Sequence, residues 1–113
     1  MITLEEAIQK IPEFCRTNKY FRHGPFYGKE LKLISIFELD DDAWGFCLTY
    51  VHPERDRVHP VEGDPWDSAY LDATMPKVFK DGRVSSWAFL PDWIKREIEV
   101  TSALQLHIDP LPA

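Results

Sequence analysis

Two histidines seven positions apart, His52 and His59, each sit in a Val-His-Pro triplet, with Glu54, Asp56, Glu62 and Asp64 between or beside them. Imidazole nitrogen and carboxylate oxygen together form the donor set of many zinc and iron sites. The seven-residue step matches no short ligand motif. A proline after each histidine keeps the backbone extended without making the two rings converge. Solvated loop histidines are the expectation, and no metal ligand is assigned. A small hydrolase or metal-binding protein built on His52, His59 and the nearby carboxylates stays open as an alternative.

The other chemistry-bearing residue types are sparser still. Asp40, Asp41 and Asp42 form an acidic triplet, but they lack the alternating acids, central glycine and distant glutamate of a calcium loop. A polar turn is the expectation. Cys15 and Cys47 lie 32 positions apart, one in a helical apolar pattern and one in an extended one. Neither has a neighbouring histidine to activate it, so buried reduced thiols are expected. Gly24, Gly28, Gly45, Gly63 and Gly82 are too scattered to cradle a phosphate. These residues predict no catalytic group and no cofactor, and the chain is not expected to be an enzyme.

The distribution of charge is more informative. The chain carries a formal net charge of −6, which argues against general affinity for phosphate backbones or anionic lipid. From Glu38 to Asp72 there are ten acids (Glu38, Asp40, Asp41, Asp42, Glu54, Asp56, Glu62, Asp64, Asp67, Asp72) against Arg55 and Arg57. From Lys10 to Phe37 the balance reverses, with six bases against Glu13 and Glu30. Such asymmetry steers a basic partner electrostatically. Trp66 and Tyr70 lie in the acidic stretch and would supply the apolar anchors that interfaces favour. The expected partner-binding residues are therefore Asp56, Glu62, Asp64, Trp66, Asp67 and Tyr70. The competing reading is a solvated acidic loop that serves solubility.

Between Thr17 and Gly28, Tyr20, Phe21, Phe26 and Tyr27 alternate with Lys19, Arg22 and His23. Aromatics mixed with bases can stack single-stranded nucleic acid. In an acidic chain the expectation is that the rings plug the core while the bases cover its rim, with no nucleic acid bound.

These residues need a scaffold, and a chain of 113 residues is the size of one domain, 1–113. Thr3 and Glu6 fit a capping box, and Leu4, Ala7, Ile8, Ile11 and Cys15 follow as a helical stripe. Pro12 predicts a kink, or a second short helix running from Pro12 to about Arg16. Thr17 to Gly28 reads as loop. Leu31 to Leu39 reads as a strand with apolar residues on both faces. Ala43 to Val51 alternates large Trp44, Phe46, Leu48 and Tyr50 with small Gly45, Cys47 and Thr49; the large face is expected to meet the N-terminal helix and the small face a close neighbour. The two strands form a hairpin across the aspartate triplet.

Residues 51–74 then form a long acidic excursion, with a short helix near 65–71 opened by Asp64, Pro65 and Asp67. Pro76 to Lys80 pairs with Arg83 to Phe89 across Asp81-Gly82. Pro91-Asp92-Trp93-Ile94 predicts a short helix ending near Arg96 or Glu97. From Ile98 to Ile108 the even positions are apolar except Ser102, which predicts a C-terminal strand over a continued helix. Together these give an α+β fold: an antiparallel sheet of four or five strands, made of two hairpins plus the C-terminal strand, with the N-terminal helix packed on one face.

Met1-Ile2-Thr3-Leu4-Glu5-Glu6 lacks a basic start and an uninterrupted apolar stretch, so no signal peptide is expected, and no window approaches the roughly 18 apolar residues of a membrane span. A cytoplasmic protein with no membrane partner is expected. The functional class these features predict is a small protein-binding module, in the form of an inhibitor or immunity-type protein that neutralises a basic partner such as a nuclease toxin. An accessory or structural subunit, a mobile-element protein, or a homodimer joined through a sheet edge is the alternative.

Overall fold

The computed structural model describes residues 1–18, 21–22, 28, 30–50, 75–87 and 91–110. The fold is α+β: short N-terminal helices packed on an antiparallel sheet. Helix α1 (Leu4–Ile8) starts at a complete capping box, with the Thr3 amide donating to Glu6 Oε1 at 2.9 Å and the Glu6 amide to Thr3 Oγ1 at 3.1 Å. Pro12 does not merely kink this helix. It stands in the first turn of a second one, α2 (Ile11–Thr17), where its missing amide proton is no loss. The stripe read from the sequence is the buried one: Ala7, Ile8, Ile11 and Cys15 all enter the core.

The sheet runs in the order β4-β3-β2-β1-β5. Its strands are β1 (Leu31–Leu39), β2 (Ala43–Tyr50), β3 (Met75–Phe79), β4 (Val84–Trp87) and β5 (Ile94–Ile98), and a short β6 (His107–Ile108) also pairs with β1. Both hairpins are closed by three-residue loops whose last residue has positive φ. Asp42 at 59° closes β1–β2, and Gly82 at 101° closes β3–β4. The Asp81-Gly82 signal thus marks a hairpin, but in its three-residue form, where a single left-handed residue suffices. The two loops lie side by side, with the Lys80 amide donating to the Asp42 carbonyl at 2.9 Å.

Both faces of β2 are buried. Trp44, Phe46 and Leu48 cover one, while Ala43, Cys47 and Thr49 cover the other. The close neighbour of the small face is Trp87, whose indole stands where a side chain on Gly45 would be. Pro76 explains a further detail. Strand alternation, fixed by the Phe79 amide bonding Arg83 and the Lys80 amide bonding Asp42, aims residue 76 toward β2. An amide there would meet the Phe46 carbonyl, but proline has none and the β2–β3 ladder stops at Gly45–Lys77. Trp87 Nε1 instead donates to that carbonyl at 3.3 Å.

Three sequence expectations are corrected. Thr17 belongs to α2, and residues 21–22 are helical, with the Arg22 amide bonded to the Asn18 carbonyl at 3.1 Å, so the loop expectation fails at these positions, while 19–20 and 23–27 lie outside the described residues. The short helix after Pro91 is one 3-10 turn, Pro91–Trp93, and Ile94–Ile98 enters the sheet as β5. Ile94 and Ile98 satisfy a helical step and a strand alternation equally, and pairing with β1 decides between them. The C-terminal strand is likewise not continuous from 98 to 108. From Ile36 to Lys32 β1 advances four residues while its partner advances nine, from Ile98 to His107, so the surplus leaves the ladder. It does so as a turn, with the Leu104 amide bonded to the Thr101 carbonyl at 3.0 Å, around the one polar even position, Ser102. Val100, Leu104 and Leu106 still pack partly buried against the core, and Ile108 is buried. The inward face was readable, but the bulge was not.

Candidate functional site

The chain leaves the sheet at Tyr50, the end of β2, and returns at Met75, the start of β3. β2 and β3 are neighbours in the sheet, so the 24 residues 51–74 are an insertion between adjacent strands. The insertion departs from the end of the sheet opposite the two hairpin loops, beside the Leu31–Tyr50 pair and β6. Connections this long between neighbouring strands are uncommon within a domain. All six expected partner-binding residues, Asp56, Glu62, Asp64, Trp66, Asp67 and Tyr70, lie outside the described residues, as do His52, His59 and Glu54. The short helix expected near 65–71 also falls there.

The described part of the acidic stretch behaves differently from its sequence reading. Glu38 accepts from Lys80 Nζ at 3.0 Å and from Arg96 Nε at 3.2 Å. Those hydrogen bonds, Lys80's first and then Arg96's, hold its carboxyl below the usual carboxylate range. Asp41 is paired with Lys77. The Asp40 amide donates to the Trp93 carbonyl at 3.1 Å, and the Asp42 carbonyl receives Lys80. The aspartate triplet is therefore a tied-down turn, as its sequence implied. Two of the ten acids, Glu38 and Asp41, are paired with the chain's own bases, and Asp40 and Asp42 belong to the tied-down turn, so the candidate charge is the remaining six acids of 54–72 against Arg55 and Arg57.

Among the described residues no cluster of three or more histidines, cysteines, aspartates or glutamates is placed to hold a metal. Burial pushes the thiols of Cys15 and Cys47 up to about 12, the opposite of what a nucleophilic cysteine needs. Phe21 is fully buried, with its ring edge-on to Phe14 at 5.9 Å, so at least this aromatic of the basic patch belongs to the core.

Two features were missed by sequence reasoning. One is a cleft of about 600 Å³ between the α1–α2 corner and β4, walled by Gln9, Lys10, Phe14 and Thr17 on one side and by Val84 and Ser86 on the other. Only tertiary packing creates it. The other is the Thr49 hydroxyl, 1% exposed and without a hydrogen-bond partner. Its place in the small-residue alternation of β2 announced burial, but nothing local announced the missing partner. No helix among the described residues is long and apolar enough to cross a membrane. Comparison with family models, with curated proteins and with solved structures finds no match for this chain.

Proposed function

We propose that this chain is a small protein-binding module that engages a basic partner through residues 54–72, in the manner of an inhibitor or immunity-type protein blocking a toxin such as a nuclease. The observation that carries the reading is the crowding of six acids against two bases in the sequence of 54–72, beside described acids that are paired with bases of the sheet and helices. Arg16, Lys77, Lys80, Arg83 and Arg96 each pair with an acid outside 54–72, namely Glu13, Asp41, Glu38, Asp81 and Glu38. The six acids of 54–72 have only Arg55 and Arg57 close in sequence. Concentrated negative charge accelerates encounter with a cationic surface, and desolvated aromatic anchors hold the complex once formed. Asp56, Glu62, Asp64 and Asp67 would supply the first, Trp66 and Tyr70 the second. A cytoplasmic setting belongs to the same proposal and fits two buried free thiols.

The test is a binding measurement with the product of the adjacent gene, if that product is basic and inhibits growth. The chain should restore growth on co-expression and bind the partner with an affinity that falls steeply as salt rises to about 0.5 M. The quadruple variant Asp56→Asn/Glu62→Gln/Asp64→Asn/Asp67→Asn should lose both effects while keeping the wild-type circular dichroism spectrum. Binding that survives the quadruple variant and high salt would end the charge-based reading.

A further inference from the structure

Among the described residues, strand β4 is the last strand of the sheet on its side. The Phe79–Arg83 hydrogen bond sets the alternation, so Ser85 and Trp87 turn their backbone groups toward β3 while Val84 and Ser86 turn theirs outward. Among the described residues nothing bonds to those outward amides and carbonyls. Natural sheets blunt such an edge with charge, proline or a bulge. The opposite edge follows that rule: β5 carries Lys95, Arg96 and Glu97 in succession, all exposed, and the chain beyond it bulges away from β1. The Val84–Trp87 edge carries no charge, proline or bulge and is limited only by its length of four residues, and its Val84 is 44% exposed.

We propose that β4 is the seam of a homodimer, in which a second copy's β4 adds antiparallel across a two-fold axis at Ser85. That register is the one the outward groups select. Val84 faces the second copy's Ser86 and Ser86 faces the second copy's Val84, giving four main-chain hydrogen bonds and one continuous sheet. The charges are compatible, because Ser85 meets its own equivalent, Arg83 meets the second copy's Trp87, and no like charges stand opposite. The exposed Val84 of each copy also gains cover, since it lands beside Ser86 at the mouth of the cleft walled by Phe14. A foreign strand would meet the same backbone groups, but the identical strand matches this uncharged edge without any further requirement. The seam is short, so the dimer is weak and concentration-dependent. The seam is argued from the backbone of β4 alone and uses none of residues 54–72, so the proposal stands or falls independently of the basic partner.

Sedimentation velocity on the full chain from about 10 µM to about 1 mM should show a reversible monomer–dimer equilibrium. Ser85→Lys and Ser85→Glu each place like charges across the axis, and each variant should stay monomeric with unchanged near-UV circular dichroism. Mixed in equal amounts, the two should associate again, because Lys then faces Glu. A wild-type chain that remains monomeric throughout, single variants that dimerise as the wild type does, or a mixture that does not associate would each overturn the seam.

Discussion

Trp87 occupies the space that any side chain at position 45 would need: a Cβ on Gly45 would lie 2.4 Å from Trp87 Cε2 and 2.5 Å from Cζ2. The two residues sit on different strands, 42 positions apart, and the glycine is what lets the indole reach across β3. From there Nε1 meets the Phe46 carbonyl, and the ring packs edge-on to Phe37 at 5.8 Å. The absence of a side chain at one position thus sets the packing of a buried aromatic.

The Gly45→Ala variant should be destabilised by about 1–3 kcal/mol, the usual range for overpacking a core. The loss should be strongly coupled to Trp87. Trp87→Ala alone costs about 3–5 kcal/mol as a large deletion, but the double variant should be less destabilised than the two effects added, since the clash is gone. Urea midpoints of the four proteins measure the coupling, and strict additivity would mean the two residues do not compete for space.

Trp87→Phe keeps much of the ring and removes the donor, leaving the Phe46 carbonyl unpaired at a cost of about 1–3 kcal/mol. Pro76→Ala supplies the amide that the ladder lacks at that point. In the Trp87→Phe background it should recover part of the loss, whereas in the wild type it gains nothing from Phe46. Equal effects of Pro76→Ala in both backgrounds would refute the view that the indole stands in for a proline amide.

What the sequence made legible follows a physical division. β1 was readable to the residue, because Leu31, Leu33, Ile36, Phe37 and Leu39 bury both faces of a central strand and leave no competing pattern. The α1 cap was readable because Thr3 and Glu6 settle it between themselves. Ile94–Ile98 was not, because a four-residue apolar step suits a helix as well as a strand and only pairing with β1 chooses. Nor was the surplus between Ile98 and His107, since a bulge depends on the length of the partner strand. For the site, charge density was legible from composition, but the capture of Glu38 by Lys80 and Arg96 joins residues 42 and 58 positions apart and has no local signal.

Thr49→Val should raise stability by about 1 kcal/mol. The hydroxyl is buried and without a partner, so the native state carries its desolvation with no compensating bond, and valine has nearly the same shape. A thermal or urea midpoint that falls in Thr49→Val would show that the hydroxyl is satisfied in solution and belongs to a site.

Acid should weaken the fold partly through Glu38. Its folded-state pKa is lowered by Lys80 and Arg96, so its contribution is complete above the unfolded-state value and disappears as pH falls through the lowered one. Glu38→Gln should therefore be less stable than wild type at pH 7, and the gap should close on titration to about pH 2. A gap independent of pH would mean that the ion pairs with Lys80 and Arg96 add nothing.

Alkali should weaken it through the two thiols. Burial raises both from an ordinary 9.0 to about 12 in the folded state, while the unfolded chain ionises at the ordinary value. A raised folded-state pKa gives stability that is complete below the unfolded pKa, so the loss begins as pH climbs past 9 and continues toward 12. The Cys15→Ala/Cys47→Ala variant pays a packing penalty at neutral pH, because each thiol behaves as a small buried hydrophobe. Its stability should nevertheless decline less steeply above pH 9, and the difference from wild type isolates the thiols from the tyrosines and lysines that titrate in the same range. Maleimide labelling gives the same answer kinetically: native protein at neutral pH should label only as fast as it opens, and both cysteines should label at once in denaturant. Rapid labelling of the folded chain would place at least one thiol at the surface and remove the physical basis for the alkaline effect.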